Sequence, residues 1–350
     1  MGIRSETMRT KEISFLNTVL CLLVMLIHIC SPAIVGLQKE SLQFACIFFP
    51  WRASAFVVQG FLFLSALKFF RGKKDAFSYG TFLWGRIKKI GLPYIIATVL
   101  SYFGLIYLGY YAFDLHFLLK SLGLGNMISP FYFIIILFQF YLLMPLWRKM
   151  VEKVDFWVMA IVSILLMRLF HQGLPSMIQL ISPETVFPYN DRVFTSYLAY
   201  WVLGCYAGDH YDAFREMIEK NRNVILGGAG LFLAADVLLA YANTRGLIWV
   251  SFLEDVHTLY VFFAIFAFYR LGLQLSEKFF KLPFMKEVDG SSFYIYLYHG
   301  ISLYFIQDRV LNPLGIGLSV GFFIRWILCW GIAFAVSWGA AYWKKRGEKI

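Results

Sequence analysis

The residues that could do chemistry in this chain sit where water should be scarce. His28 in CLLVMLIHIC, Arg52, Asp236, Glu254 with Asp255 and His257 in SFLEDVHTLY, His299 and Arg325 all lie inside stretches that are otherwise apolar. A charged side chain at the centre of a bilayer costs about 2.5–3.5 kcal/mol on the insertion scale, so such groups must face one another or water, and each is a functional-site hypothesis. An imidazole titrates near working pH and suits a general base. A fixed guanidinium suits an oxyanion, and a carboxylate beside either can orient it or carry a proton. From residue types alone, the set marks a functional site between helices, a proton relay among the possibilities, or buried ion pairs that hold helices in register.

The elements that must position these groups are membrane spans. The 350 residues are 60% hydrophobic and 15% charged, with 37 phenylalanines and a mean hydropathy of +0.66, well outside soluble globular usage. The reading is an all-α polytopic transmembrane bundle, one membrane-embedded domain over residues 1–350. About ten spans are expected, near 13–35, 44–69, 90–112, 130–147, 155–171, 193–208, 223–242, 248–270, 291–310 and 316–343. Residues 172–192, with Pro175, Pro183 and Pro188, are expected to form an irregular loop. The first apolar segment lacks a small-residue cleavage pattern and reads as a retained anchor.

Charge sets the orientation. With both termini cytoplasmic, 24 of the 32 basic residues fall inside, and the outer loops hold only Lys39, Lys120, Arg192, Arg245 and Arg309, as the positive-inside rule requires. The net charge of +11 then has the lipid bilayer as its partner; no contiguous basic patch suggests nucleic acid. The five cysteines lie in apolar runs and show neither a disulfide framework nor metal-ligand spacing. Oligomeric state is not encoded in any pattern found.

Helical periodicity groups the polar positions further. Asn17 and His28 share a face of the first span, as do Arg52 and Gln59 on the second and Glu254 and His257 on the eighth. Ser292, Tyr296, His299 and Ser302 form one stripe on the ninth. Two readings stand side by side. In one, Glu254 and His257 line a polar cavity open to the outer side, with Asn17, Gln59, Asp236, Tyr296, His299 and Arg325 around it. In the other, Glu254 with His257, or Asp236 with Arg325, are buried ion pairs that hold helices in register. The glycines Gly227, Gly228 and Gly230 read as a close-packing surface.

The sequence contains no phosphate-cradling glycine loop, no G-x-S-x-G and no H-E-x-x-H, which argues against ATP-driven chemistry. Its segments do resemble the acyltransferase-3 family of integral-membrane enzymes. EISFLNTVLCLLVMLIHI is similar to that family's first helix with its terminal histidine, SAFVVQGFLFLSALKF to its second, and FLWGRIKKIGLPYII to its basic loop into the third. PFYFIIILFQFYLLMPLW resembles its fourth helix and GSSFYIYLYHGISLY its penultimate one. The chain departs from the family pattern at Asn17, where an arginine is usual, at Gln59 before Gly60 and Phe61, and at Lys89, which stands for the second arginine of an R-x-x-R motif that begins at Arg86.

The resemblance implies an enzyme of the bacterial cell membrane, a transferase of acyl groups, commonly acetyl, onto surface glycans and related acceptors. It implies acetyl-CoA as donor, entering from the cytoplasm with its phosphates near Arg86, Lys88 and Lys89. His28 would be the general base on an acceptor hydroxyl, Glu254 would orient it, and Arg52 would stabilise the oxyanion. The acceptor would be a glycan or its lipid-linked precursor, and no metal is required. The rival readings are a proton-coupled exporter of such a precursor, with Glu254 and His257 as relay, and a non-catalytic sensor or assembly protein of the same fold.

Overall fold

A computed structural model describes residues 10–72, 77–182, 184 and 188–347; Pro183 and Lys73 lie outside the described residues. The described residues form helices and connecting turns, with no strand. In chain order the α-helices are α1 (Lys11–Gly36), α2 (Leu42–Ala53), α3 (Val57–Phe70), α4 (Tyr79–Arg86), α5 (Leu92–Tyr107), α6 (Leu115–Leu124), α7 (Tyr132–Leu142) and α8 (Met144–Lys153). They continue as α9 (Phe156–Ile181), α10 (Leu198–Asp209), α11 (Tyr211–Lys220), α12 (Arg222–Thr244), α13 (Leu253–Phe279), α14 (Met285–Ile306) and α15 (Leu318–Gly347).

Six of the described helices are long and apolar enough to cross a membrane: Lys11–Gly36, Leu42–Phe70, Tyr79–Tyr107, Arg222–Thr244, Leu253–Phe279 and Leu318–Gly339. Two bent pairs, Leu115–Leu124 with Ser129–Leu142 at 50° and Phe156–His171 with Gly173–Ile181 at 43°, raise the number to eight if each is one span. The ninth and sixth expected segments appear as α14, which begins within a charged stretch, and as the 12-residue α10.

The loop expected over 172–192 is in its first half a helix. α9 runs through Pro175 to Ile181. Proline has no amide proton for the carbonyl four residues back, here that of His171, and the Asn190 side chain supplies the missing donor, its Nδ2 reaching His171 O at 2.9 Å. The expected second span is one candidate span, Leu42–Phe70, with a break in helical hydrogen bonding inside it. Pro50 lies within α2, Ser54 N and Ser54 Oγ both bond Pro50 O, at 3.1 and 2.8 Å, and a turn separates Arg52 on α2 from Gln59 on α3.

The chain packs as two compact units, Met1–Gly60 with Arg215–Ile350, and Phe61–Phe214. In the first, α1 lies against α2, α13, α14 and α15, and α12 packs on α2 and α13. Leu16, Leu20, Met25 and Ile29 on α1 are fully buried. A Cβ at Gly60 would come within 2.8 Å of Leu20, and one at Gly228 within 2.4 Å of Phe263. Only that member of the Gly227, Gly228, Gly230 run serves close packing; the other two face open space. Backbone geometry fixes where α14 starts: Phe284 just before it adopts φ 67°, a left-handed conformation uncommon for a bulky residue, and its ring stacks on Phe334 of α15.

In the second unit the close packing comes from Gly204 and Gly208 on α10. A Cβ at either would fall 2.4–2.5 Å from the backbone oxygens of Phe63 and Leu67 on α3, the small-xxx-small arrangement that lets two backbones touch. Trp201 stacks on Phe140 at 4.4 Å. Gln139 on α7 clamps the chain leading into α10, donating to Arg192 O at 2.7 Å and accepting from Phe194 N at 3.0 Å.

Candidate functional site

The first unit carries three polar clusters on helices that α1 and α13 bring together. His28 and His299 form the first. His28 is half-buried on α1, four residues before Pro32, which cannot donate to the His28 carbonyl. Its ring centroid is 5.3 Å from that of His299 on α14. His299 is buried, and its Nδ1 donates back to Ile295 O and Tyr296 O at 3.1 and 2.8 Å. Its Nε2 therefore presents a lone pair, and this buried atom has no partner among the described residues. No described hydrogen bond reaches the His28 ring. Two imidazoles with nitrogens that no described hydrogen bond engages, one half-buried and one buried, can accept protons from hydroxyl groups brought beside them.

Asp236 on α12 is the centre of the second cluster. Arg52 donates to it through Nε and Nη2 at 2.9 and 2.7 Å, a bidentate charge-assisted pair, and His257 Nδ1 donates to its Oδ2 at 3.1 Å. Asp236 is fully buried, while the Arg52 and His257 side chains retain 14% and 11% exposure. The Tyr260 hydroxyl, one turn along α13, donates to Ala53 O. This arrangement replaces both ion pairs expected from helical faces. Asp236 pairs with Arg52 and not with Arg325, and His257 turns to Asp236 and not to Glu254. Glu254 is exposed in the first turn of α13, so the expected orienting contact from Glu254 to His28 is absent among the described residues. The reason is geometric: a residue three positions ahead on one helix shares a face with His257, but a carboxylate on the facing helix meets it head on.

The third cluster joins α1 to α14. Asn17 Nδ2 donates to Asp289 Oδ1 at 3.1 Å and to Ser292 Oγ at 2.8 Å, and Cys21 Sγ donates to Ser292 O at 3.5 Å. Asn17 and His28 thus do face the same neighbour, as their spacing requires. Asp289 was missed by sequence reasoning because it precedes the apolar run that marked the ninth span; the charged start of α14 is the signal that could have found it. Tyr296, buried, stands on the same helix.

Arg325 on α15 is buried with 1% exposure. Its Nη1 donates to Gln307 Oε1 at 2.6 Å and its Nη2 to Leu318 O at 3.5 Å, while its Nε has no partner among the described residues. Gln59 on α3 has a buried Oε1 with no described partner. Each of these clusters ties helices of the first unit together: α2, α12 and α13 at Asp236, α1 and α14 at Asn17 and at the His28–His299 ring contact.

The basic cluster lies in the second unit. Lys88 and Lys89 occupy a π-helical turn, Ile87–Gly91, between α4 and α5, a local widening often found at functional positions. The Arg86 guanidinium stacks over Phe82 and Tyr141 at 5.1 and 5.2 Å, and Lys88 lies 4.9 Å over Trp84. Lys88 and Lys89 are exposed. The cluster can meet an anion with two exposed ammonium groups and one guanidinium held by aromatic rings. Among the described residues no group of three or more metal-ligating side chains converges.

Comparison with known proteins adds the chemical context. Residues 11–342 match the family described as an acyltransferase domain, Acyl_transf_3. A Bacillus subtilis (strain 168) protein named "Putative membrane-bound acyltransferase YfiQ" is 28% identical over 342 residues, which span 95% of this chain and 91% of that one. No solved structure matches.

Proposed function

Since this chain belongs to the acyltransferase-3 family, we propose that it moves an acetyl group from acetyl-CoA to a hydroxyl or amine of a cell-surface glycan or its lipid-linked precursor. The observation that carries this reading is the His28–His299 pair, a half-buried imidazole with no described partner beside a second one with a lone pair to spare. His28 takes the proton of the acceptor hydroxyl as its oxygen attacks the thioester carbonyl carbon. The C–S bond then breaks, and the CoA thiolate leaves and recovers the proton. Arg52 bonds Asp236 through Nε and Nη2, and its Nη1 is the donor left for the oxyanion.

The whole chain acts as one catalytic domain with about ten spans and both termini in the cytoplasm of a bacterial cell, the topology that the lysine and arginine distribution favours. On that topology Arg86, Lys88 and Lys89 lie at the cytoplasmic face and take the phosphates of the donor. A proton-coupled exporter is the second reading, favoured by the Asp236–His257 hydrogen bond. The bidentate Arg52 contact weighs against it, because the guanidinium already engages both carboxylate oxygens of Asp236. The test is transfer of radiolabelled acetyl from acetyl-CoA into glycan and lipid fractions of expressing membranes, with His28→Ala as comparison. Label incorporated by the native chain alone supports the reading; no label in either, with expression and donor supply verified, removes it.

A further inference from the structure

Between α14 and α15 lies a groove of about 230 Å³ whose walls include Tyr294, Tyr298 and His299 on one side and Cys329, Ala333 and Val336 on the other. Most of its surface is apolar, and two of its side chains, Tyr294 and Val336, are more than half exposed on the outside of the unit. In a membrane-spanning bundle that outside is hydrocarbon. The groove extends along α14 from the level of Ser291 to that of Ser302, about 16 Å at 1.5 Å per residue.

We infer that this groove takes the tail of a lipid acceptor with a polyhydroxylated headgroup, admitted sideways from the bilayer and placed with its hydroxyls at His299 and His28. The inference rests on the acyl-transfer reading above and names the acceptor class for it. An apolar wall alone would not select a ligand here, since moving a tail from lipid into a groove gains no hydrophobic driving force. Selection must come from the polar end, and that end is specified. His299 commits Nδ1 to its own helix, so its buried, unpartnered Nε2 can only accept. A ligand hydroxyl is the matching donor. A headgroup with neighbouring hydroxyls can give one to His299 while its neighbour meets His28, whose ring lies 5.3 Å away. His299 is then a positioning residue and His28 the base.

The test uses the full-length protein in phospholipid vesicles and an alkyl glucoside carrying a diazirine in its tail. Irradiation is expected to mark peptides containing residues 291–302 and 329–336, an alkyl glucoside of the same length is expected to compete, and an alkane is not. Val336→Trp, at the exposed mouth, and Ala333→Trp, deeper in the wall, are each expected to lower the marking at least tenfold. Val336→Trp keeps the core intact should Ala333→Trp fail to fold. Acetyl transfer from acetyl-CoA to the glucoside is expected to fall in parallel. Marking spread evenly over the exposed apolar surface, or undiminished by either substitution, overturns the groove. Competition by acyl-CoA of increasing chain length in place of the glucoside overturns the acceptor assignment in favour of the donor chain. Marking confined to the groove with no acetyl transfer keeps the binding site and overturns the acyl-transfer reading on which its role depends.

Discussion

His28 on α1 and His299 on α14 place their imidazole rings 5.3 Å apart at an angle of 45°, although 271 residues separate them in the chain. General acid–base groups contribute typically about 10²–10⁴-fold to rate. His28→Ala is therefore expected to lower acetyl transfer by at least about 10²-fold. His299→Asn keeps a donor for the α14 carbonyls and removes Nε2 with the rest of the ring. It is expected to raise the acceptor KM with thermal unfolding unchanged, and an unaltered KM would remove His299 from the site.

Asp236 holds both Arg52 and His257. Removing one partner of a buried ion pair leaves the other uncompensated, at a cost of about 3–5 kcal/mol. Asp236→Ala is expected to destabilise the protein by that order, read as a lowered unfolding temperature in detergent. Arg52→Met combined with Asp236→Leu should recover most of the loss, because the pair is then replaced by apolar packing. Unfolding of Asp236→Ala at the native temperature would show that the cluster does not hold α2 to α12.

Asn17 bridges Asp289 and Ser292, where the family usually has an arginine. Asn17→Ala removes the buried hydrogen bond to Ser292 Oγ, at a cost of about 1–3 kcal/mol. Asn17→Arg is expected to be tolerated, its guanidinium meeting the Asp289 carboxylate, and to lose that tolerance when combined with Asp289→Ala. Equal expression and unfolding temperature for the single and double variants would contradict the pairing.

Arg86→Ala with Lys89→Ala is expected to raise the KM for acetyl-CoA several-fold and to weaken its dependence on ionic strength, since exposed charges act through screened attraction. Arg86→Lys should be intermediate, because the aromatic rings that hold the guanidinium hold an ammonium less well. An unchanged donor KM in the double variant would move the phosphate site elsewhere.

Single-cysteine labelling tests the ten-span topology. Cys46 is exposed among the native thiols, so it is replaced by serine first. A membrane-impermeant maleimide applied from outside is expected to reach a cysteine at Glu184 and not one at Lys73; the reverse pattern would invert the orientation.

Composition and periodicity alone determined that this is an all-helical membrane chain and which polar residues lie inside apolar segments, because a bilayer requires satisfied backbone and sequestered charge whatever the neighbours are. The face shared by Asn17 and His28 also followed from the helical repeat. Helix periodicity says which way a side chain leaves its own axis, but it does not say which helix stands opposite, how far that helix is shifted along its axis, or how it is rotated. The sequence pattern offers Arg325 as the partner of Asp236; in the fold Asp236 meets Arg52, 184 positions away. His257 had Glu254 three positions ahead of it and bonds Asp236 on α12 instead. Pro175 reads in the sequence as a helix breaker, yet α9 passes through it, and Asn190 bonds the carbonyl that the proline leaves free. Each of these outcomes depends on contacts between distant segments, and only the packing of one helix against another decides them.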